Sequence, residues 1–137
     1  MDKLLVIDDE YAIRLLFQEE LTYEGYQVTA ISNCEDLLNE IDRQKPDLII
    51  LDIKLGNVNG LDILQDIRNR HYDMPVILCT AYPTFKYDLK SIAADYYVVK
   101  SSSLDDLKAK IKMALESRFR FSKELTLEKV VQEDIRE

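Results

Sequence analysis

Five polar residues stand where short apolar runs end. Asp8 and Asp9 follow Leu4-Leu5-Val6-Ile7, and Asp52 follows Leu48-Ile49-Ile50-Leu51. Thr80 follows Val76-Ile77-Leu78-Cys79, and Lys100 follows Tyr96-Tyr97-Val98-Val99. Three carboxylates gathered in one place repel one another, and without a cation one of them tends to take up a proton. A hard divalent ion such as Mg²⁺ removes that problem, because it takes oxygen ligands and keeps several waters. Lys100 adds a fixed positive charge, and Thr80 a hydroxyl that can donate to an anion. The set reads as an acidic metal cradle, a carboxylate nucleophile and two groups that grip a transferred phosphoryl. Taken singly, each residue has a plainer reading: an Asp caps a helix, a Lys is solvated, a Thr finishes a strand. Their coincidence at matching run ends carries the argument.

The elements that must position these residues follow from periodicity. The five apolar runs, counting Val28-Thr29-Ala30-Ile31, are short and near-continuous, which suits strands covered on both faces. Helical spacing lies between them: Ile13, Leu16, Phe17 and Leu21, ending near Gly25; then Leu37, Leu38 and Ile41, with Ser32 and Glu35 as a capping box. Leu61, Leu64 and Ile67 mark a third helix, and Leu89, Ile92 and Ala93 a short fourth. Leu104, Leu107, Ile111, Ala114 and Leu115 mark a fifth, which Ser103 and Asp106 can cap. A (βα)5 alternation predicts an α/β fold, a doubly wound parallel five-stranded sheet within a flavodoxin-like three-layer sandwich. In the order 2-1-3-4-5, strands one and three are neighbours, so Asp8, Asp9 and Asp52 converge at the carboxyl edge, where such sheets place their sites.

Composition bounds the function. The 137 residues suffice for one domain, and a net charge of −8 argues against direct nucleic-acid binding. No run approaches a membrane span, and a soluble, cytoplasmic protein is expected. Cys79 reads as core and Cys34 as lying near a helix start, with no ligand-like spacing between them. His71, the single imidazole, reads as solvent-exposed in a polar turn.

The motifs Leu-Leu-Val-Ile-Asp8-Asp9-Glu10, Pro46-Asp47-Leu-Ile-Ile-Leu-Asp52-Ile-Lys54, Gly60-Leu-Asp62, Met74-Pro75-Val-Ile-Leu-Cys-Thr80-Ala81-Tyr82 and Asp95-Tyr96-Tyr97-Val-Val-Lys100 resemble the response-regulator receiver family over about residues 3 to 117. The first half is similar to stand-alone phosphorelay regulators of the sporulation type, including Tyr11, Ile13, Arg14 and Gly25-Tyr26. The resemblance implies that Asp52 is the phosphoacceptor, fed by a histidine kinase or phosphotransfer protein. It implies that Asp9, Asp8, Asp52 and the carbonyl of Lys54 hold Mg²⁺. Thr80 and Lys100 would bind phosphoryl oxygens, and Tyr97 would be the switching aromatic. Tyr82 and Lys54 occupy positions that tune hydrolysis of the phosphoaspartate. A self-phosphorylating and self-dephosphorylating switch is implied, rather than a turnover enzyme.

Three departures stand out. Ser101 follows Lys100 where the family usually has Pro, often with a cis bond. A cis bond before Ser would cost about 3 kcal/mol more than trans, so the isomer stays open and a trans bond with a repositioned loop is one outcome. The usual Pro-Gly pair after Asp52 is missing, although Gly56 and Asn57 can supply turn geometry. The stretch from Thr80 to Lys100 is short, predicting a short or irregular fourth helix. Residues 118–137 form an extension in which Leu127, Val130, Val131 and Ile135 recur at helical spacing, predicting a short amphipathic helix that packs on the domain, a second copy or a partner. A phosphorylation-independent interaction module is the alternative reading. A hydrolase is remote for want of a second catalytic acid. The downstream target is not legible, and homodimerisation is possible on this reading.

Overall fold

The computed structural model describes residues 1–83, 88–101 and 103–117. The chain runs β1 (Lys3–Ile7), α1 (Tyr11–Tyr23), β2 (Gln27–Ile31), α2 (Leu37–Gln44) and β3 (Leu48–Leu51). A hairpin of two short strands follows, β4 (Lys54–Leu55) and β5 (Val58–Asn59), then α3 (Gly60–Arg70) and β6 (Val76–Thr80). A 3₁₀ turn over Leu89–Ala93, β7 (Tyr96–Val99) and helix α4 over 105–117 complete the domain.

The five long strands form one parallel sheet in the order β2-β1-β3-β6-β7, as the periodicity predicts. Alternation explains why the strands are apolar throughout. Leu5, Ile7, Ile49, Leu51, Val76 and Leu78 belong to one core layer, with Ile41 of α2 and Leu64 and Ile67 of α3. Leu4, Val6, Leu48, Ile50, Ile77 and Cys79 belong to the other, with Phe17 and Leu21 of α1 and Leu107 and Ile111 of α4. With both faces buried, every position in β3 and β6 must be apolar or satisfied.

Several local expectations change. Helix α2 begins at Leu37 rather than on a Ser32–Glu35 capping box; Asn33 Oδ1 instead accepts from Glu35 N at 3.1 Å, forming a turn ahead of the helix. At α4, Ser103 Oγ accepts from Asp105 N, and Asp106 pairs with Lys110 one turn on. His71 is half-buried, its Nε2 2.8 Å from Asp42 Oδ1, so it ties α3 to α2 instead of standing in solvent. The fourth connection is a 3₁₀ turn among the described residues, in keeping with its short sequence. The β4–β5 hairpin has no counterpart in the periodicity. The expected helix in 118–137 lies outside the described residues.

Candidate functional site

Asp52 lies just past β3, in the centre of the sheet. Its amide donates to the Ile7 carbonyl at 3.1 Å, carrying the β1–β3 ladder one step beyond both strands. This places Asp52 beside Asp8, which follows Ile7. Both carboxylates are almost sealed from solvent, at 5% and 2% residue exposure. Asp52 Oδ1 accepts from Ile53 N at 2.7 Å, and Oδ2 accepts from Lys100 Nζ at 3.0 Å. Asp8 Oδ1 accepts from Glu10 N at 2.9 Å, and Oδ2 pairs with the same Lys100 ammonium at 2.6 Å.

Lys100 reaches this position because β6 and β7 continue their ladder past Val99: Lys100 N donates to Thr80 O at 2.7 Å. The Lys100–Ser101 bond, whose isomer the sequence left open, is trans, and the ladder rather than the following bond sets the place of the lysine. Thr80 is fully buried, and its hydroxyl oxygen accepts from Tyr82 N at 3.5 Å.

The charge balance of the cluster is uneven. One ammonium is shared between two buried carboxylates. Burial drives Asp8 above its ordinary value, and the bond to Lys100 only partly offsets this. Burial alone would depress Lys100, but its bonds to Asp8 and Asp52 outweigh burial and hold it above its ordinary value. The ammonium is therefore held in its charged form, while burial leaves Asp8 only partly compensated. Carboxylate oxygens of Asp8, Asp9 and Glu10 also lie within 4.8 Å of one another. An all-oxygen, net-negative donor set of this kind fits a hard divalent cation such as Mg²⁺.

The chain matches the response regulator receiver domain family over residues 4–112. It belongs to that family. Among solved structures, the receiver is similar to the response regulator TrrA of Thermotoga maritima, crystallised in complex with Mg²⁺-BeF. The two are 44% identical with a TM-score of 0.80, over 83% of this chain and 99% of TrrA. TrrA has also been solved in complex with the histidine kinase ThkA, at 43% identity and a TM-score of 0.79, over 84% of this chain and 99% of that one. Sporulation initiation phosphotransferase F of Bacillus subtilis is 30% identical over 116 residues, 83% of this chain and 94% of its own. The probable transcriptional regulator ycf27 of Guillardia theta is 34% identical over 134 residues, 95% of this chain but 52% of that protein. The receiver spans about half the length of the ycf27 relatives it matches. The domain is thus a receiver of two-component signalling.

The other residues expected at the receiver's site flank this cluster. Lys54 sits at the base of the β4–β5 hairpin, with its ammonium 4.0 Å from the centroid of the Tyr82 ring. Tyr97, half-buried on β7, donates its hydroxyl to the Tyr82 carbonyl. Four contributors have no role at the site in the sequence reading, although Gly56 is expected in the turn. Glu10 carries no signal beyond its place in the first motif. Arg14 Nη1 donates to the Asp8 carbonyl at 2.9 Å, one helical turn inside α1. Gly56 N donates to Asp9 Oδ2 at 3.1 Å. Gly60 brings α3 against the Asp52 backbone, where a Cβ would lie 2.1 Å from Asp52 O. The glycine at the start of α3 is the one available signal for that close approach. Among the described residues, no helix is long and apolar enough to cross a membrane.

Proposed function

We propose that this receiver accepts a phosphoryl group on Asp52, with Mg²⁺ as cofactor, from a histidine kinase or phosphotransfer protein, and so changes what it binds. The observation that carries the reading is the shared Lys100 ammonium, bonded at once to Asp8 and Asp52 in a nearly sealed pocket. Asp8, Asp9, Asp52 and the carbonyl of Lys54 are the residues that would hold the cation. When bound, the cation would neutralise charge on the phosphoryl oxygens.

The chain's own residues supply the rest. An Asp52 oxygen forms the new O–P bond while the bond from phosphorus to the donor's nitrogen breaks, and the donor imidazole keeps that electron pair. Lys100 is pre-oriented and firmly charged, so it can pass from the carboxylate to a phosphoryl oxygen without reorganising solvent. Thr80 would donate its hydroxyl to another phosphoryl oxygen. Tyr97 would report the change through its bond to the Tyr82 backbone. A single acceptor carboxylate that is loaded and later hydrolysed makes a switch, not a turnover enzyme. The reading is of a cytoplasmic protein with 1–117 as the receiver and 118–137 as an extension. TrrA, with its Mg²⁺-BeF complex and its kinase complex, supports it by similarity.

Incubation with acetyl phosphate and Mg²⁺, followed by intact-mass measurement, tests this. A single phosphoryl adduct that requires Mg²⁺ and is lost in Asp52→Ala is expected. No adduct from acetyl phosphate or from a cognate kinase would leave an interaction module in its place.

A further inference from the structure

The β4–β5 hairpin, between Asp52 and α3, is fixed at several points. Leu55 is buried in the core layer beneath it. Lys54 stacks its ammonium on Tyr82. Asn59 accepts from Leu61 N at 2.9 Å and so caps α3, and Gly60 presses on the Asp52 carbonyl. The tip is Gly56-Asn57, with Lys54 opposite Asn59 and Leu55 opposite Val58. Gly56 takes φ +60°, the left-handed region that favours glycine. In that conformation its N–H points at Asp9 Oδ2, 3.1 Å away.

From this geometry we infer that the Gly56 amide is a positioning group for Asp9 and sets the affinity of the receiver for Mg²⁺. The inference rests on the metal reading given above and adds a residue to it. Asp9 is exposed, so its side chain must otherwise lose rotamer freedom when it takes a cation. An amide that already holds one oxygen removes part of that loss and leaves the other oxygen for the ion. Ligating carboxylates are commonly oriented in this way by outer hydrogen bonds. The donor depends on this sequence: a proline at position 56 would carry no N–H. Because Lys54 belongs to the same hairpin, its carbonyl and the Asp9 carboxylate are placed by one short, anchored segment.

The test is calorimetric titration of the full 137-residue chain with Mg²⁺, alongside the metal-free melting temperature. A Cβ at Gly56 meets nothing within 4 Å, so variants there perturb backbone conformation and not packing. Asn tolerates the left-handed region and a β-branched residue does not. Gly56→Val is expected to weaken Mg²⁺ binding about tenfold or more. Gly56→Asn is expected to stay within about twofold of wild type, since it keeps both the φ and the N–H. Should Gly56→Val not fold, Gly56→Ala replaces it, with Asn still expected to bind more tightly than Ala. Wild-type affinity in the valine or alanine variant, or equal loss in the asparagine variant, overturns the inference alone. If the wild type shows no saturable Mg²⁺ binding, or Asp9→Asn binds unchanged, the metal reading fails as well.

Discussion

The Lys100 ammonium stands 2.6 Å from Asp8 Oδ2, on a carboxylate whose side chain is only 2% exposed. Asp52 draws on the same ammonium at 3.0 Å. One ammonium bridging two buried carboxylates ties the ends of β1, β3 and β7 together.

Removing the tie should therefore be costly. Lys100→Ala strands two buried carboxylates, and loss of about 3 kcal/mol is expected from breaking such a buried pair. Urea denaturation in EDTA measures it. Saturating Mg²⁺ should recover more stability in the variant than it adds to the wild type, because a cation can take over the vacated role.

Asp8 should behave in the opposite sense. Its folded pKa is raised above the 3.8 of an ordinary aspartate, by burial first. The folded state then holds its proton more tightly than the unfolded state, so stability falls as pH rises from that ordinary value through the folded one. Above that window the ionisation of Asp8 counts against the fold. Asp8→Asn keeps an acceptor for Lys100 and is expected to melt at or above the wild-type temperature without metal, yet to gain less from Mg²⁺. A metal-free variant that melts well below wild type would contradict this.

Gly60→Ala should damage both fold and site. The added methyl would meet Asp52 O at 2.1 Å and Ile53 Cα at 2.9 Å, and both are backbone atoms that cannot swing away. Overpacking of this kind costs about 1–3 kcal/mol. Chemical denaturation reads the loss, and slower adduct formation with acetyl phosphate reads the displacement of Asp52.

The thiols should be silent in the folded chain. Burial pushes Cys79 from 9.0 up to about 12 and Cys34 up to about 11. Both stay protonated at pH 8, so a disulfide reagent should titrate them slowly until denaturant is added. A raised thiol pKa supports the fold fully below the unfolded value, and that support is lost as pH rises. The fall due to Cys79 should span pH 9.0 to about 12. Denaturation midpoints across this range should decline less steeply in Cys79→Val.

The sheet and the placement of most of the candidate site were legible in the amino-acid order. Five near-continuous apolar runs alternating with helical spacing require a covered parallel sheet, and residues one step beyond each run must meet at one edge. Asp8, Asp52, Thr80 and Lys100 follow from that local rule, because strand period and ladder register are backbone properties. The ladder also fixes Lys100 independently of Ser101: its amide is bonded to Thr80 O before the altered loop begins.

What the sequence left open depends on contacts between distant segments. Gly56 meets Asp9 across 47 positions, His71 meets Asp42 across 29, and Lys54 stacks on Tyr82 from another loop. No periodicity encodes such pairs, since each is set by where two loops leave the sheet and how closely they then approach. The amino-acid order thus determined which residues reach the carboxyl edge. Only the tertiary structure decided how one ammonium is divided between Asp8 and Asp52, because that division depends on burial and on distances of a few tenths of an ångström.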